Sequence, residues 1–287
     1  MRLYTTDRGV GREDRPGTLS ILGLPVADVG ALLQGPGTEA ARHAAARETV
    51  GLGEVVLGPP VPRPGKVIIV GLNYPSHGEE AREALEAMGR GDVAFPTEPV
   101  FRFVAGSAIT AHGQPITPPA LAPDRLDYEG EIAVVIGRAA RDVPRDQAWE
   151  HIAGLTIVND VTARDVQMRA VNGDPAVSDG SAKSFDTFKP LGPCLVTADE
   201  FPRPLDLRLQ TRVNGELRQD DRTSTLLHPF EDLVAHLSRF HTLEAGDVIC
   251  TGTPRGVGYF ADRFLAPGDT VEITVDGIGT LANTVSA

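Results

Sequence analysis

Cysteine is scarce in this sequence, and long apolar runs are missing. The 287 residues include only Cys194 and Cys250, too few for the disulfide framework of small secreted proteins. Each lies in an apolar segment without a second cysteine nearby, so we expect buried thiols rather than a zinc site. No apolar run approaches the length of a membrane-spanning helix or of a signal peptide. We therefore expect no membrane partner and a cytoplasmic location.

Basic residues are also fewer than acidic ones. The chain has 27 basic and 39 acidic residues, which gives a net charge of -12. Such a chain repels a phosphate backbone, so nucleic acid is not expected as a partner. No Gly-x-Gly-x-x-Gly motif follows a strand-like segment, which argues against a dinucleotide-dependent redox enzyme.

Proline clusters at one place and divides the chain. The stretch Gly58–Lys66 contains four prolines, and proline continues neither a helix nor a central strand. We predict a small N-terminal domain with a Pro-rich linker over residues 1–63 and a catalytic domain over residues 64–287. The first part starts strand-like and contains two helix-favouring segments, VADVGALLQ and TEAARHAAARE.

A strand and a helix are predicted directly after the linker. Val67–Val70 is apolar and β-branched, which is typical of a buried strand. In the following segment, PSHGEEAREALEAMGR, Ser76 and Glu79 have the spacing of a capping box, and Gly89 and Gly91 end the helical pattern. Since glycines and charges surround this helix, we hypothesise that residues 75–92 form a lid over a site.

The remainder of the chain reads mainly as short strands. The turn sequences Val-Asn-Gly-Glu and Val-Asp-Gly-Ile predict β-hairpins, and HPFEDLVAHLSRF predicts one amphipathic helix. The expected fold class is therefore α+β, mostly β. The strand-like segments are DYEGEIAVVIG, GLTIVND, LGPCLVT, LRLQTRVNGE, DVICTG and TVEITVDGIGTLANTV.

Three carboxylates form a candidate metal site. Glu129 and Glu131 are two residues apart on a predicted strand, so their side chains face the same way. Asp160 ends a second apolar strand and could reach the same place. Three oxygen ligands suit Mg²⁺ or Mn²⁺, which would keep open positions for a substrate. A polar strand face in water would have the same spacing, so spacing alone leaves both interpretations open.

Six segments, in order, make the chain similar to a known family. They are GLNYPSHGEE, DYEGEIAVVIG, AGLTIVNDVTARDVQ, KSFDTFKPLGP, VNGELRQ and LEAGDVICTGTPRGVG. Over residues 66–287 the chain resembles the fumarylacetoacetate hydrolase (FAH) superfamily. The resemblance implies an FAH-type rolled mixed β-sheet with few short helices, a homodimer, and a small N-terminal domain like that of some members.

The resemblance also implies a role for nine side chains. Taken singly, His77 and Lys183 would be ordinary surface residues, Arg164 part of an exposed ion pair, and Thr253 a turn residue. In the family motifs they match functional positions. These are the metal ligands Glu129, Glu131 and Asp160, the catalytic residues His77, Glu80 and Lys183, and the substrate-binding residues Arg164, Gln167 and Thr253.

These roles imply chemistry on a small 2-oxo acid that chelates Mg²⁺ or Mn²⁺. His77, oriented by Glu80, would activate water for attack on a distal carbonyl, and the metal and Lys183 would stabilise the resulting enolate. The leading hypothesis is a C–C bond hydrolase for an acylpyruvate or fumarylacetoacetate-like 1,3-dioxo acid of aromatic catabolism. The alternatives are a decarboxylase or isomerase for oxaloacetate-like or 2-hydroxy-dienoate acids, and a catalytically inactive ligand-binding homologue.

One stretch departs from the family pattern. Many members have a basic residue after a Pro-x-x-Phe segment, and here Val104 falls at that position, with Arg102 two residues earlier. Either the register shifts locally or the substrate pocket differs. Substrate identity is therefore left open.

Overall fold

The first part of the chain builds one end of a large β-sheet in the computed structural model, which describes residues 1–87, 89 and 96–287. Its elements are β1 Arg2–Thr6, β2 Gly9–Arg15, β3 Thr18–Leu22, α1 Val29–Gln34, α2 Gly37–His43, β4 Ala46–Gly51 and β5 Leu57–Gly58. The helix-favouring segment TEAARHAAARE is helical only as far as His43, because its end pairs with β3 as strand β4. Sheet pairing outweighs the helix propensity of its alanines there.

The central segment supplies the strands that carry the candidate site. Its elements are β6 Val67–Gly71, α3 Pro75–Ala87, β7 Val100–Val104, β8 Ile109–Ala111, β9 Leu126–Asp127, β10 Gly130–Ile136, β11 Ile152–Asn159, β12 Thr162–Ala163, α4 Arg164–Val171 and β13 Lys189–Thr197. The predicted strands within VIIVG, DYEGEIAVVIG, GLTIVND and LGPCLVT are all present.

The last segment adds a second sheet and the helix Phe230–Phe240, which buries five residues. Its elements are β14 Arg208–Val213, β15 Glu216–Arg222, α5 Phe230–Phe240, β16 Val248–Cys250, α6 Gly258–Ala261, β17 Thr270–Val275 and β18 Gly279–Thr284. Both predicted hairpins are present, since Asn214 and Gly215 have φ of 51° and 80° in the turn between β14 and β15, and β17 pairs with β18. These positive φ angles are the ones that an Asn-Gly hairpin turn requires.

Short 3-10 helices connect several of these elements. They span Leu52–Glu54, Gly106–Ala108, Arg145–His151, Asp179–Lys183, Ala198–Glu200 and Thr223–Thr225. The fourth of them ends at a residue of the candidate site, Lys183.

A 12-stranded mixed sheet runs through the described part of the molecule. Ten strands follow the order β4-β3-β2-β1-β13-β11-β10-β16-β6-β7, while β5 pairs with β1 and β8 pairs with β13. A four-stranded sheet in the order β15-β14-β17-β18 packs against it. The mostly-β fold with few short helices is thus confirmed.

The central strand β10 divides the core in two. Ile132, Val134 and Ile136 belong to one buried cluster, whereas Ala133 and Val135 belong to the other. Alternate side chains of a strand face opposite ways, so both faces of the sheet are covered. A strand buried on both faces explains the uninterrupted apolar run after Glu131.

The N-terminal segment shares the sheet and one core cluster with the rest. β1 pairs with β13, with Leu3 opposite Leu195. Leu3 and Leu32 pack in the same cluster as Val67 and Leu195. The division into two domains at residue 63 stays a prediction.

The helix after the linker begins earlier than predicted. α3 starts at Pro75, so Ser76 lies inside its first turn, and the prediction that Ser76 caps the helix was wrong. Its hydroxyl instead donates to Asp221 at 2.6 Å. Gly89 has a φ of 74° and donates its N–H to the Glu86 carbonyl just beyond the helix. Gly91 and the end of the predicted lid lie outside the described residues.

Helices in the described part of the chain are short or amphipathic. None of them is long and apolar enough to cross a membrane.

Candidate active site

The three predicted carboxylates meet where β10 begins and β11 ends. The two strands are antiparallel, with Gly130 opposite Asn159, and the Asp160 N–H donates to the Glu129 carbonyl at 2.8 Å. One carboxylate oxygen from each of Glu129, Glu131 and Asp160 lies within 4.8 Å of the others, and all three residues are buried. The structure therefore brings together the residues that the sequence predicts as metal ligands.

Glu129 lies between two buried cations. Its Oε1 accepts a hydrogen bond from Arg164 Nη2 at 2.7 Å, and its Oε2 accepts one from Lys183 Nζ at 2.6 Å. Burial alone would raise the pKa of this carboxyl, but the charges of Lys183 and Arg164 outweigh burial and lower the pKa to about 2. Glu129 is therefore ionised at neutral pH.

Glu131 has far fewer contacts that would stabilise a negative charge. One of its oxygens, Oε2, accepts a single hydrogen bond from the Gly252 N–H at 2.8 Å. Burial, and then the neighbouring charges of Asp160 and Glu129, hold its pKa well above the usual range. Gly252 has a φ of 100°, and a Cβ there would come within 2.8 Å of the Asn73 side chain. Only glycine can bring its N–H to this place.

Asp160 lies between two lysines. Its Oδ2 accepts a hydrogen bond from Lys183 Nζ at 2.6 Å. Its Oδ1 lies 2.6 Å from Lys189 Nζ, yet this buried oxygen has no hydrogen bond of acceptable geometry. The contact between Oδ1 and Lys189 is thus an ion pair.

These donors fit a hard divalent cation. Three carboxylates are the ligand type that Mg²⁺ and Mn²⁺ prefer. Asp160 Oδ1 accepts no hydrogen bond, and the raised pKa of Glu131 shows that few groups stabilise its negative charge. A bound cation would interact favourably with both. Glu129, Glu131 and Asp160 are the residues that would hold the ion.

A cavity of about 650 Å³ opens beside the carboxylates. It is large enough for a small organic acid. His77, Lys183, Arg164, Gln167 and Thr253 line its wall together with the three candidate ligands. The sequence-predicted residues therefore share one pocket, except that Glu80 lies behind His77.

His77 and Glu80 form the predicted pair on α3. His77 Nδ1 lies 3.2 Å from Glu80 Oε2, and Glu80 Oε1 accepts a hydrogen bond from the Gly256 N–H at 3.0 Å. The imidazole also meets the Phe260 ring edge-to-face, with centroids 5.9 Å apart. In the neutral imidazole, a hydrogen bond from Nδ1–H to the Glu80 carboxylate would leave Nε2 as the basic nitrogen.

The three predicted substrate-binding residues already have protein partners. Arg164 donates to Asp127, Glu129 and Gln167 at 2.8, 2.7 and 2.6 Å. The Thr253 hydroxyl donates to the Gly130 carbonyl at 3.0 Å. Arg164 thus fixes the orientation of a candidate metal ligand. Its role, with Gln167 and Thr253, in binding a substrate carboxylate stays a prediction.

Sequence reasoning missed two buried or half-buried acids at the site. Asp127 accepts hydrogen bonds from the Gly258 and Tyr259 N–H groups at 2.7 and 3.0 Å and orients Arg164. Asp179 accepts a hydrogen bond from Gln167 at 2.8 Å. The signal for Asp127 was its place two residues before Glu129, on the same face of the predicted strand.

Arg102, rather than Val104, faces the pocket. The guanidinium of Arg102 lines the cavity and forms a 2.6 Å ion pair with Asp179. Val104 is buried in the apolar cluster that also contains Val67, the residue opposite it on β6. The structure therefore places a basic side chain, Arg102, at the pocket, and the two possibilities that the sequence left open both remain predictions.

Comparison with known proteins agrees with this arrangement. The family model described as Fumarylacetoacetate (FAA) hydrolase C-terminal matches residues 66–286. The chain belongs to the fumarylacetoacetate hydrolase family. The recognition made from six sequence motifs is confirmed.

Similar members of the fumarylacetoacetate hydrolase family carry different reaction names. Oxaloacetate tautomerase YisK of Bacillus subtilis (strain 168) is 40% identical over 237 residues, covering 82% of this chain and 74% of the relative. The crystal structure of 5-carboxymethyl-2-hydroxymuconate delta-isomerase from Mycobacterium smegmatis is 38% identical, with a TM-score of 0.76, over 100% of this chain and 99% of that one.

A third similar protein is maleylpyruvate hydrolase from Sphingobium sp. SYK-6, solved in complex with manganese(II) ion and pyruvate. It is 28% identical, with a TM-score of 0.77, over 100% of this chain and 99% of that one. The named relatives are thus a tautomerase, an isomerase and a hydrolase. This chain is a member of an enzyme family whose members share a fold and differ in reaction.

Proposed function

We propose that this protein is a Mg²⁺- or Mn²⁺-dependent enzyme that interconverts the keto and enol forms of a small, oxaloacetate-like 2-oxo acid. The observation that carries the proposal is one cavity lined by the carboxylates Glu129, Glu131 and Asp160, by Lys183 and by His77. The 40% identity with an oxaloacetate tautomerase supports this reaction over the C–C hydrolysis that the sequence motifs alone put first.

His77 is the proposed base. A cation held by the three carboxylates would polarise the keto group of the substrate as a Lewis acid. Nε2 of His77 accepts a proton from the carbon next to that keto group, and the C–H electron pair becomes the C=C bond of the enolate. The proton then goes to the enolate oxygen, which completes the enol. The reverse sequence regenerates the keto acid.

Lys183 is placed to stabilise the enolate oxygen. Two of its hydrogen bonds go to Glu129 and Asp160, both at 2.6 Å, and an ammonium has three N–H donors. The third donor is available for a substrate oxygen. A preorganised buried cation at that place stabilises developing negative charge better than water does.

Arg102 selects for a second carboxylate on the substrate. Its guanidinium lies on β7 at the cavity wall, where Asp179 holds it at 2.6 Å. A dicarboxylic acid would place one carboxylate at the metal centre and the other at Arg102. The charge-assisted hydrogen bond is worth about 1.5–3 kcal/mol, or roughly 10- to 150-fold in KM.

Hydrolysis is the second candidate. The fold similarity to a maleylpyruvate hydrolase supports it, and His77 would then take its proton from an attacking water instead of from carbon. We also propose a cytoplasmic location, a homodimer and no nucleic-acid partner.

The test is to incubate Mn²⁺-loaded protein with the enol of oxaloacetate and, separately, with acylpyruvates. We expect enol absorbance to decay faster than the spontaneous rate without release of carbon dioxide. We expect Arg102→Ala to raise KM for oxaloacetate, whereas Arg138→Ala, at an exposed arginine paired with Glu150, should not.

Cleavage of an acylpyruvate to pyruvate and a second acid would establish hydrolysis instead. If neither substrate reacts while the protein still binds an unreactive 2-oxo acid, the proposal is wrong and the chain is an inactive ligand-binding homologue.

A further inference from the structure

A second lysine, Lys189, lies beside the candidate metal centre and has no part in the chemistry proposed above. It is the first residue of β13, and its side chain is fully buried, at 0% exposure. Burying an ammonium costs several kcal/mol, and an apolar side chain of similar volume would often be at least as stable. A charge at this position therefore calls for an explanation other than packing.

The Lys189 ammonium connects three chain segments around the site. It donates hydrogen bonds to the carbonyls of Lys183 at 2.6 Å, Phe188 at 3.0 Å and Val161 at 3.4 Å. Val161 follows the candidate ligand Asp160, and Lys183 is the last residue of its 3-10 helix. Lys189 thereby fixes the position of the Lys183 main chain relative to the end of β11.

The same ammonium holds the Asp160 carboxylate from one side. Lys189 Nζ lies 2.6 Å from Asp160 Oδ1, while Lys183 Nζ lies 2.6 Å from Oδ2. The two ammonium groups therefore hold the Asp160 carboxylate through both of its oxygens.

We propose that Lys189 is a positioning residue of the metal centre, which fixes the Asp160 carboxylate and the Lys183 main chain where ion binding and catalysis need them. The inference rests on the proposed function in that it takes Asp160 as a metal ligand. Partners that orient a ligand are worth about 10- to 100-fold in metal affinity.

Two other roles for Lys189 predict a different effect on metal affinity. If its charge only repelled a divalent ion, removing that charge would tighten metal binding. If Lys189 only stabilised the fold, its loss would lower the melting temperature and leave the affinity of the folded protein unchanged. Metal affinity measured without substrate therefore separates the three roles.

The test compares Lys189→Met with wild type by Mn²⁺ titration under electron paramagnetic resonance, well below the melting temperature. We expect Kd to rise about 10- to 100-fold and kcat to fall at saturating Mn²⁺. The matched control is Lys66→Met, which removes a lysine paired with Glu244 and Asp247 outside the pocket, and its Kd should equal that of wild type.

An unchanged or lower Kd in folded Lys189→Met overturns the inference. If the Met variant does not fold, Lys189→Gln, which keeps two N–H donors without the charge, is measured against the same criterion. Failure of the proposed function would look different. Wild type would then bind Mn²⁺ and leave oxaloacetate unreacted, while the effect of Lys189 on Kd would stand by itself. Wild type that binds no Mn²⁺ would overturn both the proposed function and the role of Lys189.

Discussion

Glu129 and Glu131 are two residues apart in sequence, yet their surroundings differ sharply. Arg164 and Lys183 contact Glu129 directly and lower its pKa to about 2, whereas burial and the charges of Asp160 and Glu129 raise the pKa of Glu131. One ligand is thus ready to bind a cation at any physiological pH. The raised pKa of the other means that protons compete with the cation for it more strongly.

The first residue-scale prediction concerns pH. Because the Glu131 pKa is raised in the folded protein, we expect Mn²⁺ binding to release a proton below that pKa and to tighten as pH rises towards it. Calorimetric titration in two buffers of different ionisation enthalpy measures the release. Glu244→Gln, at an exposed carboxylate, should titrate like wild type. Mn²⁺ affinity that does not change with pH would contradict this account of Glu131.

The second residue-scale prediction concerns the base. We expect His77→Asn to lower kcat by about 10²- to 10⁴-fold, because it removes the group that accepts the proton, while the Kd for Mn²⁺ changes little. Glu80→Gln should cost less, since it removes only the partner that orients the imidazole. Steady-state kinetics and Mn²⁺ titration of the same preparations check both variants. Undiminished turnover in His77→Asn would exclude it as the base.

Some site residues could be found from the sequence and others could not. Glu129, Glu131 and Asp160 follow from strand alternation together with the family motifs, so their convergence was predictable. Lys189 was not, because its burial depends on carbonyls of Lys183 and Val161 that only the fold brings to its ammonium. A sequence shows what a side chain is, while its role in a network depends on partners that only the fold brings near.

At the scale of elements, the sequence predicted the turns and helices whose conformation depends on neighbouring residues alone. The Asn214-Gly215 hairpin and the helix α5 were predicted because glycine conformation and apolar periodicity are local properties. β4 and β7 were not predicted as strands. Their sequences lack alternation of apolar and polar residues. Each is a strand because of its neighbour in the sheet, since β4 pairs with β3 and β7 pairs with β6.

The helix α3, which carries the proposed base His77, makes few contacts with the rest of the protein. It has no buried residue, and its ties to the rest include Ser76 to Asp221 at 2.6 Å and Glu80 to the Gly256 N–H at 3.0 Å. α5, in contrast, buries five residues. Few buried apolar contacts mean a low free energy of local opening.

The element-scale prediction is therefore that amides of α3 exchange hydrogen much faster than those of α5, and that Mn²⁺ with an unreactive 2-oxo acid slows only α3. Hydrogen-exchange mass spectrometry measures both rates. Equal protection of the two helices, or no change in α3 on ligand binding, would contradict the lid hypothesis for this segment.

At the scale of the whole molecule, the N-terminal segment completes a sheet. β1 covers the edge of β13, which also pairs with β11 beside the site. Leu3, Val29 and Leu32 are each at 0% exposure and share a cluster with Leu191 and Leu195 of β13. Removing the segment would expose that cluster and an unpaired strand edge.

We accordingly predict that a chain of residues 64–287 is unstable or aggregates, and that adding residues 1–63 as a separate chain does not rescue it fully. Expression, thermal melting and light scattering of the shortened chain test this. A soluble fragment with wild-type melting temperature and Mn²⁺ affinity would instead show that the two parts are independent domains.

The central claim of the account is that Glu129, Glu131 and Asp160 together hold one divalent cation. The direct measurement is a Mn²⁺ titration of metal-stripped wild type and Glu131→Gln, a near-isosteric change that removes one ligand charge. We predict one ion per wild-type chain, and a loss of at least about 100-fold in affinity in the variant together with loss of activity. Wild type that binds no ion at this site, or a variant that binds Mn²⁺ as tightly and stays fully active, would contradict the claim.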